Sequence, residues 1–262
     1  MSYADPETNW DAGTYDRFRR LRLRPALDLL AQVPDVPEGD IVDLGCGTGA
    51  VAHALRHRYP KRPLIGIDRS ADMVAGILAD TYDRVQIADI AQWRPDVPVA
   101  LIFSNAALHW LPDHPLLFPR LASALKPGGV LAVQMPRQFD APSHRLIHEV
   151  ARDLFPDRFE RARTPPVAAP SALYDICADL GDVTIWETDY LQHLPTQPDD
   201  AHPVRAFTRS TAARPILAKL TSGEQERFFH AYDAALEAVY SRRADGSVLF
   251  GFRRQFLILQ KA

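Results

Sequence analysis

The stretch Asp43-Leu44-Gly45-Cys46-Gly47-Thr48-Gly49 decides the fold. It closes an apolar run, 41–44, and leads into Ala50 and a helix-like segment, 50–59. Three alternating glycines let the backbone turn sharply and approach a ligand closely, and free N–H groups at a helix start favour an anion. A strand, a glycine turn and a helix in that order form the first unit of a βαβ fold with a nucleotide-like cofactor. With Ala50 the string also satisfies G-x-G-x-x-G/A, and Asp68 lies roughly 20 residues on, where a ribose-binding acid is expected. A dinucleotide site therefore competes with other nucleotide cofactors. A packed turn that binds nothing is the plain third reading.

Outward from the loop, the runs 64–67, 85–87, 99–103 and 130–133 are apolar with little alternation, as parallel strands covered on both faces are. Between them 50–59, 70–82 and 115–125 read as helices, and Lys126-Pro127-Gly128-Gly129 stops the third before the next strand. Upstream, 15–33 has helical spacing at Phe18, Leu21, Leu29 and Val33, with Pro25 predicting two short helices or one kinked helix. Downstream come a helix at 143–154, a proline-rich loop at 156–170 and a helix at 171–180. The run 182–194 alternates as a strand, with Val183 and Ile185 on one face and Thr184 and Trp186 on the other. A helical stretch, 199–240, precedes a final strand at 248–259. The expected organisation is one domain over 1–262, with an N-terminal helical lid at 15–33, a cofactor-binding core at 40–135 and a helical cap inserted at 199–240.

Composition removes whole classes of function. Hydrophobic residues at 47% and charged residues at 24% are globular values, which excludes disorder as the overall state. A net charge of −3 gives no global attraction to nucleic acid or to an anionic membrane. The cluster Arg17, Arg19, Arg20, Arg22 and Arg24 lacks the lysine run or aromatic platform of a nucleic-acid patch. No apolar segment approaches the ~20 residues of a membrane span, and MSYADPETNW has no leader character. Two cysteines, Cys46 and Cys177, make no disulfide framework, so a reducing cytoplasm is expected. His144 and His148 sit one helical turn apart, but Ile147 stands where an inverted zinc motif needs Glu, so no metal site is expected.

Asp43 ahead of the loop, Gly66-Ile67-Asp68, Ala88-Asp89-Ile90, Asn105-Ala106 and Pro127-Gly128-Gly129 resemble the successive motifs of class I S-adenosylmethionine-dependent methyltransferases. Further strings are similar to trans-aconitate 2-methyltransferases over nearly the whole length: Arg22-Leu23-Arg24-Pro25-Ala26, the segment 104–113, the run 131–136, Tyr174-Asp175-Ile176, Arg214-Pro215 and the segment 252–256. The resemblance implies an α/β, Rossmann-like fold: a seven-stranded, mostly parallel sheet with an antiparallel last strand, a helical cap, and S-adenosylmethionine across the C-terminal ends of the first strands. It assigns Asp43, Gly45, Cys46, Gly47 and Gly49 to the methionine end of the cofactor, and Asp68 to the ribose hydroxyls with Arg69 and Met73 in the same pocket. Asp89 goes to the adenine amino group with the backbone of Ile90 beside it, and Asn105 and Ala106 lie under the methionine portion. For Asp89 a loop-capping carboxylate is the alternative.

On the acceptor side, Arg22, Arg24, Arg214 and Arg254 match family positions and would clamp carboxylates with their planar forks. Trp10, Tyr15, His109, Trp110 and Tyr174 would wall off water around the reacting methyl, with ordinary packing as the alternative for each. His109 is the tempting general base, yet family members often carry glutamine there, so no catalytic side chain is assigned. The expected reaction is methyl transfer to a carboxylate oxygen of a small polycarboxylic acid, trans-aconitate first, giving a methyl ester. The alternatives are a malonyl group on a carrier protein, a small-molecule hydroxyl, an NAD-dependent oxidoreductase and a regulator without catalysis.

Overall fold

A computed structural model describes residues 19–159 and 167–262. The chain divides into two compact units. Among the described residues the first is built on 22–136, 167–188 and 254–262, and the second on 19–21, 137–159 and 189–253.

The strands are β1 (Ile41–Leu44), β2 (Leu64–Asp68), β3 (Arg84–Ile87), β4 (Val99–Asn105), β5 (Leu125–Pro136), β6 (Gly181–Leu194) and β7 (Val248–Lys261), in the sheet order β3-β2-β1-β4-β5-β7-β6. β1 pairs in parallel with β2 and β4, β2 with β3, and β4 with β5. β7 runs antiparallel to β5, as expected. All four residues of β1 are buried, and so are the first six of β4, which is why neither strand alternates in sequence. The order reverses between β1 and β4, leaving a crevice at their C-terminal ends.

The first unit's helices are α1 (Arg19–Gln32), α2 (Ala52–Arg58), α3 (Ala71–Ala75), α4 (His114–Ser123) and α6 (Pro170–Cys177), with α5 (Pro142–Leu154) lying between the last two in sequence and belonging to the second unit. One expectation is narrowed to a single helix and two change. α1 runs through Pro25 unbroken; Pro25 is buried with Ala26, Leu29 and Leu30, and that packing offsets the one backbone hydrogen bond proline removes. The helix expected over 70–82 is the single turn α3, ended at Gly76, whose N–H returns to Met73 O, and followed by Asp80 in the left-handed region. Lys126-Pro127-Gly128-Gly129 lies inside β5: pairing jumps from Val99↔Leu125 to Leu101↔Val130, so the four residues bulge from the ladder with Gly128 at φ 71°.

Apolar side chains from both sheet and helices make the first core: Ile102, Leu131, Val133 and Leu257 against Leu117, Leu121, Leu173 and Cys177. In the second unit α5, α7 (Pro203–Arg209), α8 (Arg214–Leu217) and α9 (Ser222–Glu237) bury Ile147, Phe207, Ile216, Phe228 and Tyr232 with Phe250 and Phe252. The stretch expected as helical over 199–240 is thus three helices, α9 opening with a capping box between Thr221 and Glu224.

Candidate active site

The loop after β1 is held from within. The N–H groups of Gly45 and Cys46 both donate to Ile67 O, at 2.7 and 3.0 Å, and that of Gly47 donates to Asp68 Oδ2 at 2.8 Å. Gly49 N–H donates back to Cys46 O, and α2 does not begin until Ala52. The expectation of free N–H groups at a helix start is therefore corrected at these four positions. Three of the donors tie the loop to β2 and the fourth, Gly49 N–H, closes the loop on itself, because strand and loop each had unpaired groups that burial required to be met. Asp68 is the strut of this arrangement, its second oxygen accepting from Ser70 N–H at 2.9 Å. The glycines serve the protein's own close packing. Gly45 has φ +83°, and a Cβ there would stand 2.2 Å from Ala107 Cβ. Gly47 has φ +54° with Met73 Cε over it.

Asp43 is 2% exposed and accepts a 2.7 Å hydrogen bond from Tyr82 Oη. Burial, reinforced by the negative charge of Asp68, pushes its carboxyl up to about 7 even though the Tyr82 bond opposes this. Burial likewise pushes the Cys46 thiol up, so it is an unreactive neighbour rather than a nucleophile. Beyond β3, Asp89 Oδ1 accepts from Ala91 N–H at 2.8 Å, so the loop-capping geometry is present for this residue. Arg120 of α4 pins the same loop, donating to Ile90 O and Trp93 O, each at 2.7 Å. Nothing in the sequence pattern pointed to Arg120 or Tyr82, since their partners are distant in the chain. Arg69 is exposed.

At the end of β4, Asn105 Oδ1 is buried without a partner, and Ala106 takes φ 54° while donating its N–H to Gln134 O at 2.9 Å. His109 follows on a 3-10 turn (Leu108–Trp110), its Nδ1 buried and unpartnered. Burial, with the charges of Arg254 and then His114, lowers its pKa to about 3, so the ring is neutral near pH 7. Arg254 itself is 4% exposed and stands opposite Pro136 in the β5–β7 register.

The first unit thus gathers Asp43, the glycine loop and Asp68 at the ends of β1 and β2, and Asn105 and His109 at and beyond the end of β4, with Arg254 of β7 opposite the last residue of β5. Other candidates lie apart. Arg24 is a solvent-facing arginine that donates to Asp28 one turn along α1. Trp110 and Tyr174 are about half exposed. Arg22 lies on the backbone of α1, Arg214 opens α8 in the second unit, and Trp10 and Tyr15 lie outside the described residues.

Comparison with known proteins decides the family. A model of the methyltransferase domain matches residues 15–181. The trans-aconitate 2-methyltransferase of Azoarcus sp. is 40% identical over 253 residues, covering 95% of this chain and 98% of the relative. The chain belongs to the trans-aconitate 2-methyltransferase family. The Escherichia coli (strain UMN026) member of that name is 39% identical over 257 residues, 97% of this chain and 99% of its own. Geranyl diphosphate C-methyltransferase of Streptomyces coelicolor shares the fold, at 18% identity and a TM-score of 0.52 over 99% of this chain and 86% of that one. The family is one of enzymes that use S-adenosylmethionine, so the dinucleotide reading of the glycine loop gives way. The residues present fit that cofactor: two neighbouring acids, Asp43 with a pKa raised to about 7, and the orphaned acceptor Asn105 Oδ1 describe a site short of a cation and of a donor.

Proposed function

We propose that this protein methylates a carboxylate oxygen of trans-aconitate, forming a methyl ester. The observation that carries the reading is the buried guanidinium of Arg254 beside an imidazole kept neutral, which gives the acceptor end of the site a fixed positive charge. A small anionic acceptor is the class of ligand that a buried guanidinium favours. Among the described residues no helix is long and apolar enough to cross a membrane.

S-adenosylmethionine supplies, when bound, an electrophilic methyl on a sulfonium. The chain's own residues have the tasks of binding, orienting and excluding water. Asp43, the loop 45–49, Asp68 with Arg69 and Met73, Asp89 with Ile90, and Asn105 with Ala106 would hold the donor; Arg254 would aim the carboxylate. A carboxylate with a pKa of about 4 is already ionised at neutral pH, so no proton has to be removed. Opposite charges approach and cancel in line, and a water-poor pocket favours that loss of charge. His109, titrating near 3, has no proton-accepting task to perform.

The pH profile tests this. Turnover at saturating substrate is expected to show no rising limb between about pH 6 and 8, and His109→Gln to stay within about tenfold of wild type, since losing a true base costs ~10²-fold or more. A wild-type rate that climbs through this range, and is flat and ~10²-fold lower in His109→Gln, would move the acceptor to a hydroxyl or amine.

Asp68→Ala removes both the expected ribose contact and the Gly47 strut. Calorimetry with S-adenosylhomocysteine should show a loss of roughly 1.5 to 3 kcal/mol, the range for hydrogen bonds to a charged group. Unchanged affinity would take Asp68 out of the donor site.

A further inference from the structure

Gln134 is fully buried on β5, and neither its Nε2 nor its Oε1 has a hydrogen-bond partner. A carboxamide shut away from water with both ends unmet costs about 1–3 kcal/mol or more, a cost that a use in binding a ligand would offset. Its surroundings say what use. The parallel register sets Asn105 directly beside it on β4, with Asn105 Oδ1 also buried and unmet. On the other side it faces Phe256, against which Trp186 stacks at 4.8 Å and 4°. Two residues along, Pro136 pairs with Arg254, so Arg254 projects from the same face as Gln134. The chain from Ala106, tied to Gln134 O, brings His109 and its orphaned Nδ1 to the Arg254 charge.

Gln134, Asn105 and Arg254 thus share one face where β4 and β5 end and β7 passes them, and His109, the third unmet polar side chain, sits on the turn after β4 within reach of the Arg254 charge. β5 is two strands from the glycine loop: with strands spaced about 4.8 Å apart, it lies roughly 10 Å from β1. Gln134 and Arg254 are therefore on the acceptor side, with Asn105, assigned to the donor, between them and the loop. The only charge among the four is positive, and the amide adds N–H donors that cannot be titrated away.

We infer that Gln134 is a specificity-determining residue of the acceptor site, its Nε2 donating to an oxygen of the substrate carboxylate beside Arg254. The inference deepens the proposed function and rests on it. Gln134 acts by binding and orienting the acceptor, and no proton moves through it.

Gln134→Met keeps the length and the unbranched shape but removes the donor. It should raise KM for trans-aconitate at least about tenfold, leave kcat within a few-fold and leave S-adenosylhomocysteine affinity within twofold. Because it also removes an unmet buried amide, its Tm should rise by about 2–4 °C, a change a residue held by a structural network would not give. The isosteric Gln134→Glu replaces the donor by a like charge and should raise KM more steeply, by about 10²-fold. Wild type is measured first: no methylation of trans-aconitate there refutes the proposed function, and with it this inference. With an active wild type, an unchanged KM in Gln134→Met, or a loss of S-adenosylhomocysteine affinity in place of a KM effect, overturns the role of Gln134 alone.

Discussion

Replacing Arg254 by Met is expected to raise KM for trans-aconitate by roughly 30- to 10³-fold while S-adenosylhomocysteine binds as before. The magnitude follows from the 2–4 kcal/mol typical of removing one partner from a buried, hydrogen-bonded charge pair. Arg254 is 4% exposed, so it interacts in a medium where charge is poorly screened, unlike Arg24 on its solvent-facing turn. A second readout separates a substrate role from a structural one. The Arg254 charge is one of the causes that lower the His109 pKa, after burial. In Arg254→Met the His109 resonance should therefore titrate at higher pH than in wild type, still below the ordinary histidine value because the ring remains buried. The sign is fixed: removing a neighbouring cation relieves the penalty on imidazolium. Wild-type kinetics together with an unmoved His109 titration would show that this guanidinium faces neither the acceptor nor the imidazole.

Gly45→Ala should cost more in the fold than any other single change in the loop. The new methyl would stand 2.2 Å from Ala107 Cβ, a backbone-anchored atom that cannot swing away, at a φ of +83° that side chains disfavour. The left-handed conformation costs about 1–2 kcal/mol and the overpacking about 1–3 kcal/mol. Together these correspond to a fall in Tm of roughly 5–15 °C. Donor binding should weaken at least about tenfold as well, because the Gly45 and Cys46 N–H bonds to Ile67 O fix the path of the loop. Adding Ala107→Gly should recover the part due to the clash and leave the part due to φ, which a double-mutant cycle measures. A Gly45→Ala protein as stable as wild type would mean that the β1 and β4 loops do not meet as described.

Much of this was legible in the sequence because it is local. The parallel strands announce themselves as short unalternating apolar runs, and β6 by its period of two. The glycine loop and the acids that close β2 and follow β3 carry their chemistry within a few residues of one another. The misreadings have physical reasons. Of the two short helices or one kinked helix that Pro25 predicted, the chain forms one helix, with Pro25 buried among Ala26, Leu29 and Leu30. The apolar spacing over 70–82 looked helical, yet Gly76 and the left-handed Asp80 end the helix after one turn. The loop N–H groups were expected to await an anion; β2, 20 or so residues away, takes those of Gly45, Cys46 and Gly47 instead. What the sequence hid altogether is long-range. The pairing of Tyr82 with Asp43, the hold of Arg120 on the Ile90 loop, and the unmet amide of Gln134 depend on strand register. A glutamine in an apolar run, Leu131-Ala132-Val133-Gln134-Met135, marks itself only once the register shows which residues share its face.

The most direct test of the account is transfer of a labelled methyl from S-adenosylmethionine to a panel of acceptors: trans-aconitate, other small di- and tricarboxylates, malonyl-carrier protein and a phenol, with products identified by mass. The expected result is one labelled methyl on trans-aconitate, removed by mild alkali as an ester is, with one S-adenosylhomocysteine formed per ester and far slower transfer to the rest. An alkali-stable product, or label carried only by the carrier protein or the phenol, would contradict it.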